Sequence, residues 1–449
     1  MMVRLGYHLT KNGVLSLLYL QDYILTEENF MESLYPTLSF LKLRASYGSV
    51  GNQNTYLSSI YRIMSSSSSE WLIDGNNQVT VGTPGALPSS LTWETVTTLD
   101  VGLDARFFNN KLGMTFDWYE RTVSDMHSSG ITLPSSFGTS SPRRNYGELQ
   151  TKGWELSLDY KHQFDNDLKV SALVTLTDFK EKLTKYSNTT KGITSNYEGK
   201  VLGEIWGYET DRFFTEDDFN SDGSYANGVA DQSLFETNGW FKYGPGDVKF
   251  KDLNGDGVID YGSRTVGDSG DMKVIGNSTP RYQYGIQLGA DFKGIDLSVF
   301  MQGVGKRDFW ANGPVFIPGY RYGEGWYEHQ LDHWTPENTN AYYPRPNDQG
   351  QSNSSMNFLP QTKYLLNMSY LRMKNITLGY SFPESVLNKL RVNKLRLYLS
   401  GENLFEISGV QIPVDPEVDY TNAGTNDTSS FGRVYPFRRS YSFGLQLSL

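Results

Sequence analysis

The run Asp252-Leu-Asn-Gly-Asp-Gly-Val-Ile-Asp260 has the spacing of a calcium loop. Asp252, Asn254, Asp256 and Asp260 offer oxygens at positions 1, 3, 5 and 9, Val258 stands at position 7, and Gly257 sits at the sixth position, where the chain must turn sharply. Calcium takes six to eight oxygens, and position 12 is Ser263, so Asp268 or Asp271 would have to complete the shell. The competing reading is a turn in which Asx side chains bond their own backbone. Calcium here would be structural, and no other cofactor is required. His329 and His333 have the i, i+4 spacing that places two imidazoles on one helix face, but Glu328 precedes both, so the metalloprotease order is absent and an ordinary loop helix is expected. The loop aromatics Trp206, Tyr208, Trp240, Tyr243, Trp310, Tyr320, Tyr322 and Trp326 could stack on sugar rings or peptide side chains, or else pack inside large loops or form an interfacial girdle. The 50 acidic residues single out no pair with glycosidase geometry, and the absence of cysteine removes thiol nucleophiles and thiolate metal sites. An enzyme is not expected.

The scaffold follows from composition and period. A net charge of -10 without long Lys/Arg runs argues against nucleic acid as a partner. The longest apolar stretch, 14–20, is far short of the roughly 18 residues of a membrane helix. Low hydrophobicity beside 30 Tyr, 24 Phe and 9 Trp suits a transmembrane β-barrel, whose strands are apolar on one face only. Residues 1–25 show neither the regions of a signal peptide nor strand alternation; they are left unassigned, as a start that need not be native.

Val101, Leu103, Ala105 and Phe107 alternate with polar residues or glycine, then Leu112, Met114, Phe116 and Trp118 do the same, and a turn at Asn109-Asn110 pairs the two sets. The same arithmetic folds Tyr284, Ile286, Leu288, Ala290 and Phe292 across Lys293-Gly294 onto Gly303, Met301, Val299, Leu297 and Ile295. Across Asp165-Asn166 it pairs Trp154, Leu156, Leu158 and Tyr160 with Leu176, Val174, Ala172 and Val170. Further strands are expected at 41–50, 368–382, 395–399 and 441–449, with a bulge near Lys374-Asn375 where the phase slips by one, giving about ten in all. Connections alternate between short turns and long loops at 51–90, 123–147, 180–280, 305–363 and 403–439. Outer-membrane barrels are built this way, with the long loops outside the cell.

The wording of these segments resembles the SusC/RagA family of TonB-dependent outer-membrane transporters. The resemblance is carried by "LKLRASYGSVGNQ" from Leu41, "WETVTTLDVGLDARFFNNKLGMTFDWYERTVSDM" from Trp93, "NYGELQTKGWELSLDY" from Asn145, "GDVKFKDLNGDGVID" from Gly246, "IGNSTPRYQYGIQLGADFKGIDLSVFMQGVGKRD" from Ile275, "YLRMKNITLGYSFP" from Tyr370 and "YPFRRSYSFGLQLSL" from Tyr435, in the family's order over 26–449. It implies an all-β fold, the C-terminal part of an antiparallel barrel of about 22 strands. It also implies residence in the cell outer membrane among its lipids, a SusD-like surface lipoprotein as partner, and TonB acting through an N-terminal region and plug that this chain is expected to lack. The implied activity is import of oligosaccharides or peptides. The alternative is a non-transporting surface adhesin or carbohydrate-binding β protein.

Overall fold

A computed structural model describes residues 2–9, 15–52, 64–82, 92–128, 144–236, 241–320, 325–346, 356–418 and 435–448, with single positions at 86, 134, 136, 138 and 141. Its principal sheet contains β1 (Met2–Leu9), β2 (Leu15–Ile24), β3 (Leu38–Asn52), β4 (Glu94–Phe107), β5 (Leu112–Ser128) and β6 (Arg144–Gln163). It continues through β7 (Lys169–Lys185), β8 (Arg281–Phe292), β9 (Ile295–Lys306), β10 (Tyr370–Ser381), β11 (Lys394–Glu402) and β12 (Ser440–Ser448). Each strand neighbours the next in sequence, a meander without crossovers, and the short strand Glu406–Ser408 adds to the far end of β10. The sheet therefore has 13 strands, where period counting gave about ten.

Part of the difference lies in residues 1–25, where β1 and β2 pair from Met2↔Asp22 to Leu9↔Leu15. Alternation does not reveal β2 because Leu18, Tyr19 and Leu20 put apolar side chains on both faces.

The hairpin registers follow the side-chain period. β8 pairs β9 through Tyr284↔Gly303, Ile286↔Met301, Leu288↔Val299, Ala290↔Leu297 and Phe292↔Ile295, the apolar-on-apolar alignment that alternation demands. The turn between them holds Lys293 and Gly294 at positive φ, as a two-residue hairpin requires. Asn109 and Asn110 are also left-handed, and Lys111 N–H bonds Phe108 C=O at 3.3 Å, closing the β4–β5 turn where expected. The β6–β7 turn differs. Phe164 N–H bonds Leu168 C=O at 2.8 Å with Asp167 left-handed, so the loop is longer than Asp165-Asn166. The bulge falls where the phase slips: Phe300 faces Asn375 and Met301 faces Met373, leaving Lys374 unmatched.

By contacts the chain forms two compact units, one of 1–106, 115–154 and 179–202, the other of 107–114, 155–178 and 203–449. In the first, Arg44 on β3 reaches Asp104 on β4 and Asp117 on β5, both at 2.8 Å, tying three strands together from the polar phase. In the second, Arg396 on β11 spans to Asp296 on β9 at 2.9 Å, and Arg281 on β8 pairs with Asp178 on β7. Half-open ion pairs of this kind contribute about 0–1 kcal/mol each. Their larger effect is to mark one face of each strand as polar. Glycines let such strands carry large rings: a Cβ on Gly303 would meet the Tyr284 ring, and one on Gly444 the Tyr398 ring. The opposite phase is apolar and open, with Leu288 40% and Leu445 59% exposed.

Among the described residues no second sheet covers Leu288, so replacing it by Arg is expected to cost about 2–4 kcal/mol of stability in lipid vesicles if it lies near the midplane. Gln287→Arg, on the other phase, should cost far less. Equal costs in urea unfolding would refute the assignment of faces.

Candidate functional site: the outer loop assembly

The second unit contains long loops folded on one another. Main-chain bonds start the assembly: Tyr208 N–H donates to Pro360 C=O at 2.8 Å and Thr362 N–H to Tyr208 C=O at 3.1 Å. Gly207 permits this approach, because a Cβ there would strike the Pro360 carbonyl. Short strands Glu204–Tyr208 and Met272–Asn277, and Thr210–Phe213 and Val248–Phe250, pair within the first loop. Asp308–Phe309 pairs with Leu366–Asn367 in the second.

Around this ladder lies a core of Tyr208, Val248, Phe250, Ile259, Phe316, Tyr343, Phe358, Tyr364 and neighbours. Phe358 and Tyr364 stack at 4.7 Å, Tyr208 and Phe250 at 5.0 Å. Burial raises the phenols: Tyr342 is pushed up to about 12, and Tyr208 and Tyr343 go higher still. They remain neutral in any physiological medium. Lys363 lies half-buried over the rings of Phe213, Tyr342 and Tyr364, and desolvation lowers its ammonium below the usual lysine value.

A buried carboxylate staples the loops. Asp247 is fully buried and takes hydrogen bonds from Arg345 Nε at 2.9 Å, Asn357 Nδ2 at 2.8 Å and Gly244 N–H at 2.9 Å. Asn357 Oδ1 in turn accepts Val248 N–H at 2.8 Å. Burial raises the Asp247 carboxyl above its ordinary value although Arg345 and Asn357 oppose the shift. A second node is Asp218. Burial alone would raise it, but Arg212, the Thr215 N–H and Lys249 outweigh burial and hold it well below the usual carboxylate range.

The sequence candidates distribute unevenly over this body. Tyr208 and Tyr243 are core residues, each 3% exposed, which corrects their reading as ligand-stacking rings: their faces are covered by Phe250 and by Phe241. Trp310 packs edge-on against Phe316 at 5.5 Å and Tyr320 leans on the same core. Trp206 is half-exposed with its Nε1–H on Glu204 at 2.9 Å, and Trp326 is 37% exposed, edge-on to His333. Trp240 and Tyr322 lie outside the described residues. The expected helix face of His329 and His333 does not form, because the 3-10 turn Glu328–Leu331 ends before His333; His329 Nε2 meets Val315 C=O at 2.8 Å instead. Tyr342, Tyr343 and Tyr364 were not singled out from sequence, and only the pairing of Tyr342 with Tyr343 in a polar loop hinted at them.

At 252–260 the Asx side chains serve their own backbone. Asp252 accepts Gly255 N–H at 2.6 Å and Gly257 N–H at 2.8 Å, Asn254 accepts Asp256 N–H, Asp256 accepts Val258 N–H, and Asp260 accepts Gly262 N–H. Asp271 accepts Leu253 N–H and Asp260 N–H from across the loop. These are the bonds of an Asx turn, and among the described residues no three His, Asp or Glu side chains converge there.

An antiparallel meander with one apolar open phase, one charged phase and long loops gathered into a folded body is the architecture of an outer-membrane β-barrel. The chain belongs to the TonB dependent receptor-like, beta-barrel family, whose model matches residues 15–299. TonB-dependent receptor P3 of Formosa agariphila is 29% identical over 442 residues, covering 94% of this chain and 40% of that protein. TonB-dependent receptor SusC of Bacteroides thetaiotaomicron is 26% identical over 438 residues, covering 94% and 38%. Among solved structures, the RagAB peptide importer in its open-open state aligns with TM-score 0.67 and 22% identity over 97% of this chain and 42% of that one. The chain thus spans about two fifths of the length of these relatives.

Two outcomes follow. Arg345→Met should loosen the loops by up to about 3 kcal/mol, because it leaves Asp247 buried and unpaired, although Arg345 itself is 36% exposed. Limited proteolysis reads this, and digestion of the parent with and without chelator should be the same if the Asx turn needs no metal. The Asp218 carboxyl is depressed in the folded state, so its stabilisation is present above an unfolded value near about 3.9 and disappears as pH falls through its lower folded value. Tryptophan fluorescence should therefore show acid loosening below about pH 4 that Asp218→Asn displaces.

Proposed function

We propose that this chain acts in energy-coupled import across the outer membrane, TonB-dependent uptake of oligosaccharides or peptides together with a SusD-like surface lipoprotein. The observation that carries the reading is the loop assembly: a pre-folded body with its own aromatic core, on strands whose outer phase is fit for lipid. Import of bulky cargo needs a rigid capture surface, since ordering loose loops at each encounter would subtract from affinity. Trp206 and Trp326 are half-open rings of the loops, and on this reading they meet the cargo. The relatives lend support of a limited kind. SusC is a TonB-dependent receptor and the RagAB complex a peptide importer, which supports TonB-coupled import and makes peptides one cargo class to test. No chemical step on the cargo belongs to this reading.

The test uses cells carrying the gene in its native reading frame and labelled oligosaccharides and peptides as probes. Uptake should vanish without TonB, and Trp326→Ala should weaken cargo binding about threefold to tenfold. Uptake that persists without TonB would overturn the proposal.

A further inference from the structure

On the apolar phase of β9 to β12 the side chains of Ile295, Leu378, Tyr380, Leu397, Leu399 and Phe443 line a groove of about 380 Å³. Family membership puts this face in the hydrocarbon of the outer membrane. A dent there is filled by an acyl chain, since an empty one forfeits dispersion contacts along its whole lining. Tails alone select little, because lipid is as apolar as leucine and no hydrophobic driving force distinguishes one chain from another. Selection must come from the headgroup.

The headgroup end is defined by the short connections. Ser381 N–H bonds Gly294 C=O at 2.7 Å and Phe382 N–H bonds Leu395 C=O at 3.0 Å, which gathers the β8–β9 turn, the end of β10 and the start of β11 at one rim. Tyr380 and Phe382 meet edge to face at 5.1 Å there, the kind of aromatic pair that settles at the membrane interface. Lys293 stands in the turn with its Nζ 5.2 Å from the Phe292 ring. Lys389 and Arg391 end the helix Glu384–Leu390, and Lys394 opens β11. All four basic side chains are exposed. Beside that turn and on that helix Asp291 and Glu384 are also exposed, and Asp296 pairs with Arg396, so four exposed basic side chains stand at this rim against these two exposed acids.

We propose that this groove and rim form a binding site for an anionic phospholipid, its acyl chain along Leu378 and Leu399 and its phosphate among Lys293, Arg391 and Lys394. Short turns face the periplasm in such barrels, where the membrane leaflet is phospholipid. The site rests on the outer-membrane placement and not on import, so a protein that fails to take up cargo yet retains lipid would leave it standing.

The experiment takes the full-length protein from outer membranes into nanodiscs of equal phosphatidylglycerol and phosphatidylcholine, then measures the lipid retained on detergent release by native mass spectrometry. Phosphatidylglycerol should be retained at least about fivefold over phosphatidylcholine, the preference expected from a single basic side chain near an anionic surface. Lys293→Gln with Arg391→Gln and Lys394→Gln, all at exposed positions, should erase the preference while heat-modifiable gel migration stays unchanged. Leu399→Trp should fill the groove and reduce retention of both lipids. Equal retention by the parent, a preference that survives the triple substitution, or retention unaffected by Leu399→Trp in a heat-modifiable protein would each overturn the proposal.

Discussion

Every backbone group that enters hydrocarbon must already have a hydrogen-bond partner, and a sheet satisfies this only by pairing each strand along its length. Strands β2 to β11 meet that demand with a neighbour on each side, while β1 and β12 are the edges of the sheet among the described residues. Strands follow one another in space as in sequence, so each hairpin settles its own register locally, and in strands such as β8 to β12 one phase is apolar and the other polar. Arg44, Arg281 and Arg396 lie on the polar phase and bridge to carboxylates on other strands of the sheet, Arg396 reaching across β10, which keeps charge away from the apolar face without leaving it unpaired.

Outside the hydrocarbon the constraint is lifted, and a different physics takes over. The loops are irregular, so their backbone groups cannot rely on a repeating ladder; side chains supply partners instead. Asp247, Asn357 and Gln232 bond main-chain N–H or C=O groups from within the core, while Asp252 to Asp271 cap successive turns of one acidic segment. Burying one carboxylate is tolerable here because Arg345 and two further donors meet it.

Legibility from sequence divides along the same line. A period of two is enforced wherever one face meets lipid, which is why Tyr284 to Phe292 could be aligned on Gly303 to Ile295 and the bulge at Lys374 located from a slipped phase. β2 escaped because Tyr19 stands on the face opposite Leu18 and Leu20, and the β6–β7 turn because a left-handed Asp167 lengthens it without changing which residues share a face. The loop core was hidden for a stronger reason. Tyr208, Tyr343 and Phe358 lie far apart in irregular segments, and composition alone cannot say whether an aromatic ring is covered by Phe250 or left open like Trp326.

That separation between covered and open rings bears on how such a protein changes over generations. Because Tyr208, Phe250 and Tyr364 hold the loop body together from inside, substitution at the half-open Trp206 and Trp326 removes less buried packing than substitution in that core. Substitution is therefore tolerated more readily at the open rings than at the covered ones, so the frame of the loops and the surface they present can change separately.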